Sequence, residues 1–380
     1  MADLTPEQKL ALIRENLQEI IDVEIIEEVL KTRDLKVYFV AQLLAAQCHV
    51  KILLADIHGF LDNLKAPIEL VNFRADYYQF AITSMLKAVG VSIDKLEFIK
   101  GSSYQKGPEY AMDVYKLCSV VSEHDAKKAG AEVVKQTGNA PLSGLLYPIL
   151  QVLDEQHLDV DAQFGGNDQR KLFTAAKEWL PRIGYKQRAH LLSPMVPGLQ
   201  GGKMSASDPN SKIDLLDPPD VVTKKLKKAE CVPKVTEGNG VLSFTEYVLL
   251  PAGALKYGRP EFRVDRSRDN LPELVYTSIK EMHEDYKNDV LTPQLLKPAV
   301  TKALIDLMAP IQAEFQASQA WQEIMPKAYP PEEAKKKEKK VKDKGSRHPG
   351  GKKPEAKSES AIAEAGDAPA ASSELPIRSS

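Results

Sequence analysis

Residues 201–207 read Gly-Gly-Lys-Met-Ser-Ala-Ser. A Gly-Gly turn followed at once by Lys203 and the hydroxyls of Ser205 and Ser207 can bring one cation and several donors to a polyphosphate whose charge grows during reaction. An exposed loop with a solvated lysine has the same composition, so the flanks must decide. A P-loop needs Gly, four residues, then Gly-Lys-Ser/Thr; Pro197 stands at the first position and Met204 at the last, so a phosphate binder here is of another type.

A second constellation lies in Ser143–Asp154, where Tyr147, Gln151 and Asp154 recur at i, i+4 and i+7. On a helix they fall within about 60° of arc, so a phenol, an amide and a carboxylate share one stripe while Leu146, Ile149, Leu150 and Leu153 take the other side. A solvated polar face has the same spacing, but a half-buried stripe needs partners, and a polar ligand would supply them. The run from Asp161 to Arg170 reads as a strand, a Gly165-Gly166 turn and a helix start carrying Asp168 and Gln169. Ligands of parallel sheets bind beyond the carboxyl ends of strands, so Asp168 is placed to accept from a ribose hydroxyl, or else to cap the helix.

The elements that must position these groups can be read from periodicity. Thr5, Pro6 and Gln8 form a capping-box start, followed by Leu10, Ile13, Leu17 and Ile20 at helical intervals. Short apolar runs at 50–55, 96–99 and 160–164 alternate with helical stretches at 67–86 and 112–124, which predicts an α/β domain with a parallel sheet. After about residue 218 the stripe Leu295, Leu296, Ala299, Val300, Ala303, Leu304, Leu307 and Ile311 predicts a mostly helical domain. From Pro330 the chain turns Lys-rich and then Ala/Ser/Glu/Pro-rich, the composition of a disordered tail.

With 380 residues, 43% of them hydrophobic and 27% charged, the chain can bury a large core split between two domains. No apolar run approaches the roughly 20 residues of a membrane span, and the polar start lacks a signal-peptide core, which predicts a cytosolic protein. Cys48, Cys118 and Cys231 have neither CxxC nor Cys/His ligand spacing, so no disulfide framework and no metal site is expected. Net charge is −2, but residues 335–353 hold nine Lys and one Arg against two acids. That run suits salt-sensitive contact with nucleic-acid phosphates or a nuclear address, and equally a solvated charge run.

Lys203-Met204-Ser205-Ala206 with Ser207 resembles the second signature of class I aminoacyl-tRNA synthetases. The segments Ala55-Asp-Ile-His-Gly-Phe-Leu-Asp62, Lys127-Lys-Ala-Gly-Ala-Glu132, Gln163-Phe-Gly-Gly166 and Pro194-Met-Val-Pro-Gly198 precede it in family order. From Asp34 almost to Tyr329 the chain resembles cytoplasmic tyrosyl-tRNA synthetases of the eukaryotic and archaeal type. The resemblance implies a Rossmann-like parallel-sheet catalytic domain over 1–218, an all-helical, anticodon-binding-like domain over 219–330 and a disordered basic tail over 331–380. It implies that Tyr38 and Asp154 hydrogen-bond the substrate phenol, that Tyr147, Gln151 and Gln169 hold its ammonium group, and that Gly166 and Asp168 face the ribose of ATP. Met195 and Val196 would face the adenine; Gly202, Lys203, Met204, Ser205 and Ser207 would serve the phosphates. L-tyrosine, ATP with Mg2+ and tRNA(Tyr) are the implied substrates, with no tightly bound cofactor, no protein-held metal and no membrane. A homodimer in the cytoplasm is implied, with a nuclear pool allowed by the basic run.

The chain departs from that family after Tyr38. Relatives continue with a Trp-Gly turn, a small-residue loop and the first class I signature, a Pro-His pair followed by a small residue; here the sequence is Phe39-Val-Ala-Gln-Leu-Leu-Ala-Ala-Gln-Cys-His-Val50. His49 has no glycine-rich turn before it and reads as a helix-end or strand-edge residue. Strands at 35–40 and 50–56 leave about nine residues for a crossover that ordinarily takes at least 10–12. Either 35–40 is not a strand, or 41–47 is a truncated helix, or a segment is missing from the sequence. The expectation is poor activation of tyrosine or none, with a non-catalytic tyrosine- or tRNA-binding isoform as the alternative. Leu295 also stands where relatives carry an anticodon-contacting Asp, and Asn167 where they carry a branched apolar residue.

Overall fold

The computed structural model describes residues 4–38, 41–62, 67–134, 141–202, 204 and 210–330. Lys203, Ser205, Ser207 and the basic tail with its 335–353 run lie outside these residues. The chain up to Pro331 clusters as one compact unit.

The capping box forms as read: Gln8 N donates to Thr5 Oγ1 at 3.3 Å and Thr5 N to Gln8 Oε1 at 2.9 Å, opening α1 (Pro6–Arg14). The expected stripe is longer than the helix. Asn16 takes φ 60°, the chain turns, and Ile20 falls in strand β1 (Glu19–Ile21). Next come α2 (Val23–Leu30), β2 (Lys36–Tyr38), α3 (Ala41–Ala45), β3 (His49–Leu54), α4 (Asp56–Asp62), α5 (Ile68–Ala88) and β4 (Leu96–Lys100). They are followed by α6 (Pro108–Val120), α7 (Glu123–Ala129), α8 (Ser143–His157), β5 (Ala162–Gly166), α9 (Arg170–Arg182) and β6 (Ala189–Ser193). The single helix expected over 112–124 is two, because Ser122 Oγ accepts from Asp125 N and starts a new one.

The sheet order is β1-β6-β5-β2-β3-β4, with β1 antiparallel to β6 and the other neighbours parallel. Strand order reverses between β2 and β5, so the carboxyl ends at Tyr38 and Gly166 flank the crevice where such sheets bind ligands. Successive residues face opposite sides. Tyr38 and Leu53 pack with Tyr104, Leu158 and Val160 on one face; Val37, Val50, Ile52 and Leu54 pack with Ile26, Leu43 and Leu86 on the other.

β2 and β3 pair in parallel from Lys36↔His49 to Tyr38↔Lys51, so 35–40 does hold a strand, and the helix between them is short. α3 has five residues, about 7–8 Å of helix, against about 20 Å for the six-residue strand it precedes. His49 is the exposed first residue of β3, as expected of a strand-edge histidine.

The sequence placed β5 two residues early and read Gly165-Gly166 as a turn. Both glycines continue the strand, opposite Leu192 and Ser193, and the turn is a single 3-10 turn at Asn167–Gln169. The start is set by Asp161, whose carboxylate is taken by Arg33 (2.7 Å to each oxygen) and by Lys36 N (3.0 Å).

Beyond β6 the chain is mainly helical: α10 (Pro219–Lys228), α11 (Gly240–Phe244), a π-helical turn at Thr245–Leu249, α12 (Leu250–Tyr257), α13 (Ile279–Lys287), α14 (Pro293–Ala317) and α15 (Gln319–Ala328). Leu296, Val300, Leu304 and Ile311 of the expected stripe are buried. A hairpin of β7 (Phe262–Val264) and β8 (Leu274–Tyr276) was not expected; each strand is only three residues, too short for alternation to register.

Candidate functional site

α8 presents Tyr147, Gln151 and Asp154 to one region, as their spacing implied. The helix is fixed to the sheet by the next residue: Glu155 Oε1 lies 2.8 Å from His190 Nε2, both buried, with the imidazole stacked on Phe173. Asp154 is 1% exposed. Its Oδ1 accepts from Tyr104 Oη (2.7 Å), Gln105 Nε2 (2.8 Å) and Tyr110 Oη (2.9 Å). Its Oδ2 lies 3.3 Å from His58 Nε2, at ion-pair distance but outside hydrogen-bond alignment, and has no hydrogen-bond partner among the described residues. A buried carboxylate with one oxygen triply satisfied and the other free is built to accept from something else.

The electrostatics disfavour charge here. Burial pushes the Asp154 carboxyl up, against the opposing pull of His58 and its three donors, and burial pushes His58 down, against the charges of Asp154 and Asp56. The Tyr38 phenol is raised by burial, then by Asp154 and Tyr147, which places all three in one field. Tyr147, edge-on to His58 with ring centroids 5.0 Å apart, is pushed up to about 12 by burial and by Asp62, Asp154 and Asp168. These phenols are therefore neutral donors at physiological pH.

Gln151 Nε2 donates to Gln169 Oε1 at 2.9 Å, joining the stripe to the segment after β5. Gly166 sits at close quarters: a Cβ there would come within 2.8 Å of Asp168 Oδ1 and 2.9 Å of Met195 Sδ. Gly166, Asp168 and Met195 thus converge at the mouth of the same crevice. Val196 lines an apolar cavity with Phe164, Val50 and Ser193; Gly166, two residues beyond Phe164 on β5 and paired with Ser193, faces the same side of the sheet. Gly201 and Gly202 take φ of 75° and 64°, closing a turn in which Gly198 N donates to Gly202 O at 2.9 Å. Met204 packs partly against the core of the helical region. Leu295 does the same, in the first turn of α14.

Sequence reasoning missed His58, Tyr104, Gln105 and Tyr110. His58 belongs to the Ala55–Asp62 motif but had no role attached. The other three come from the turn after β4 and from α6, where nothing in the local spacing signals a carboxylate 44 to 50 residues away. Among the described residues no group of three or more His, Cys, Asp or Glu is placed to hold a metal ion.

Residues 35–309 match the family model described as tRNA synthetases class I (W and Y). The chain is 48% identical over 361 residues to the cytoplasmic tyrosine-tRNA ligase of Saccharomyces cerevisiae, covering 88% of this chain and 92% of the yeast protein. It is 48% identical over 352 residues to the Danio rerio cytoplasmic tyrosine-tRNA ligase, covering 88% of this chain and 65% of that longer one. Among solved structures, the tyrosyl-tRNA synthetase from Archaeoglobus fulgidus complexed with L-tyrosine superposes with a TM-score of 0.72 at 31% identity, covering 82% of this chain and 99% of that one.

Proposed function

The chain belongs to the class I tRNA synthetases of the tryptophan and tyrosine type, and from that premise we propose how its residues carry out tyrosine-tRNA ligation. The observation that carries the reading is the orphan Oδ2 of buried Asp154 at the switch point of the sheet. The substrate phenol donates to that oxygen and meets Tyr38 on its other side. Tyr147, Gln151 and Gln169 surround the ammonium group. Gly166 and Asp168 face the ribose, Met195 covers the adenine, and Val196 contributes there through its backbone.

The tyrosine carboxylate attacks the α-phosphorus of ATP, the bond to pyrophosphate breaks, and tyrosyl-adenylate forms. A hydroxyl of the terminal adenosine of the tRNA then takes the tyrosyl group and AMP leaves. No side-chain nucleophile takes part; the protein positions the reactants and stabilises charge. Lys203 is the mobile cation on the leaving pyrophosphate, helped by Ser205 and Ser207, with the Gly202 turn and Met204 as the hinge of their loop. Mg2+ enters with ATP.

The short crossover limits the first step. α3 brings no glycine-rich, histidine-containing loop to the phosphates, so we expect tyrosine to bind while adenylation is slow. Tyrosine-dependent exchange of pyrophosphate into ATP should run at least about a hundredfold below that of the yeast relative. Equal rates would overturn this. Calorimetric binding of L-tyrosine with no exchange at all would favour the second reading, a tyrosine- or tRNA-binding isoform.

The helical region from 219 to 330 is proposed to bind the anticodon stem-loop. Leu295 offers no hydrogen bond to a base edge, so reading falls to neighbouring residues. The 335–353 run adds sequence-blind phosphate contact and allows a nuclear pool beside the cytoplasmic one. The relatives are named cytoplasmic, and no described helix is long and apolar enough to cross a membrane. A second copy of the chain is proposed to cover the exposed Met112 and Tyr115 of α6.

A further inference from the structure

Leu44 of the five-residue crossover helix borders an apolar cavity on the sheet face behind it. Val50 and Ile52 of β3 and Phe164 of β5 line this partly open cavity of about 420 Å³, bordered also by α5, α12 and the π-helical turn before α12. That volume is within the roughly 300–1,000 Å³ range of small-molecule sites. Tyr38, Leu53 and the Asp154 cluster belong to the opposite face, so the cavity is separated from the phenol site by the sheet itself.

Its chemistry is narrow. Asn16, Ser193 and Tyr247 are the polar side chains among its described lining residues, and none of those residues is charged. An ion entering such a site would shed its hydration with no countercharge to meet it. A neutral molecule with a hydrocarbon body would gain by leaving water, and one polar end would be matched by the few donors and acceptors present.

We propose that this cavity is a binding site for a neutral, hydrocarbon-rich small molecule of about bicyclic-aromatic size carrying one hydrogen-bonding group. The site lies on the sheet face opposite the tyrosine pocket and is independent of it. The lining residues come from both the sheet and the helical region, so an occupant ties the two together.

The test uses the full chain and a matched pair of probes, 2-naphthol and 2-naphthoate, in titration calorimetry with saturating L-tyrosine and ATP present. 2-Naphthol should bind at one site per chain, and the anionic partner at least about tenfold more weakly. Ala252→Phe on α12 and Val89→Phe at the C-cap of α5 fill the cavity from two separate places. Each should weaken 2-naphthol at least about tenfold while melting no lower than the parent. A variant that melts lower is set aside and the other read; if both do, the probe pair and the competition decide. Absence of 2-naphthol binding, equal affinity for the anion, displacement by L-tyrosine or ATP, or undiminished binding to a well-folded filled variant would each overturn the proposal.

Discussion

At the scale of single residues, the chemistry turns on how Asp154 divides its two oxygens. Three neutral donors hold Oδ1, fixing the carboxylate plane, and that leaves Oδ2 with His58 as its nearest described neighbour. Substitution Asp154→Asn keeps an acceptor for the three donors but removes the free one. L-tyrosine affinity should fall about 10- to 100-fold, with preference over phenylalanine falling by a similar factor. Calorimetry with both amino acids checks this, and an unchanged preference would place phenol recognition elsewhere. The stripe of Tyr147, Gln151 and Asp154 was legible because helical periodicity alone aligns it. Tyr104, Gln105 and Tyr110 were not, because they reach the carboxylate from separate elements.

At the scale of elements, the site depends on β2 and β5 ending side by side, and Asp161 secures that. Burial raises its carboxyl, but the paired hydrogen bonds from Arg33 and the backbone N–H of Lys36 outweigh burial and hold it below the ordinary 3.8. A depressed carboxylate contributes stability that is present above its unfolded value and is lost as pH falls through the folded one. Asp161→Asn should therefore cost about 2 kcal/mol at pH 7, and the gap to the parent should close as pH drops below about 3.9. Chemical denaturation at a series of pH values measures it; a gap independent of pH would show that the charge contributes nothing. The same interaction explains why β5 begins later than its apolar run suggested: Asp161 and its neighbours are spent on a clasp, and the glycines extend the strand instead.

At the scale of the whole molecule, α6 exposes two large apolar side chains. Tyr115 is 66% and Met112 54% exposed, three residues apart on the helix and so on one side of it. With a second copy as the proposed occupant, Tyr115→Asp should shift the protein from dimer to monomer in sedimentation velocity. A monomeric parent, or a variant that stays dimeric, would refute the assignment.

Local spacing carried much of the architecture by itself. The capping box of α1, the strands at β3 and β4, the stripes of α8 and α14 and the ordered signatures depend on residues a few positions apart, and such periodicities survive in a linear string. The sequence also determined that the β2–β3 crossover is short, since counting residues needs no coordinates. Only the tertiary structure decided what accompanies that shortness: β2 still pairs with β3, and the helix between them has five residues. It likewise decided that Val196 lines an apolar cavity and that Asp154 keeps one oxygen free. These outcomes depend on which faces and which distant side chains meet, and that is fixed by packing across the sheet, over sequence separations that periodicity does not encode.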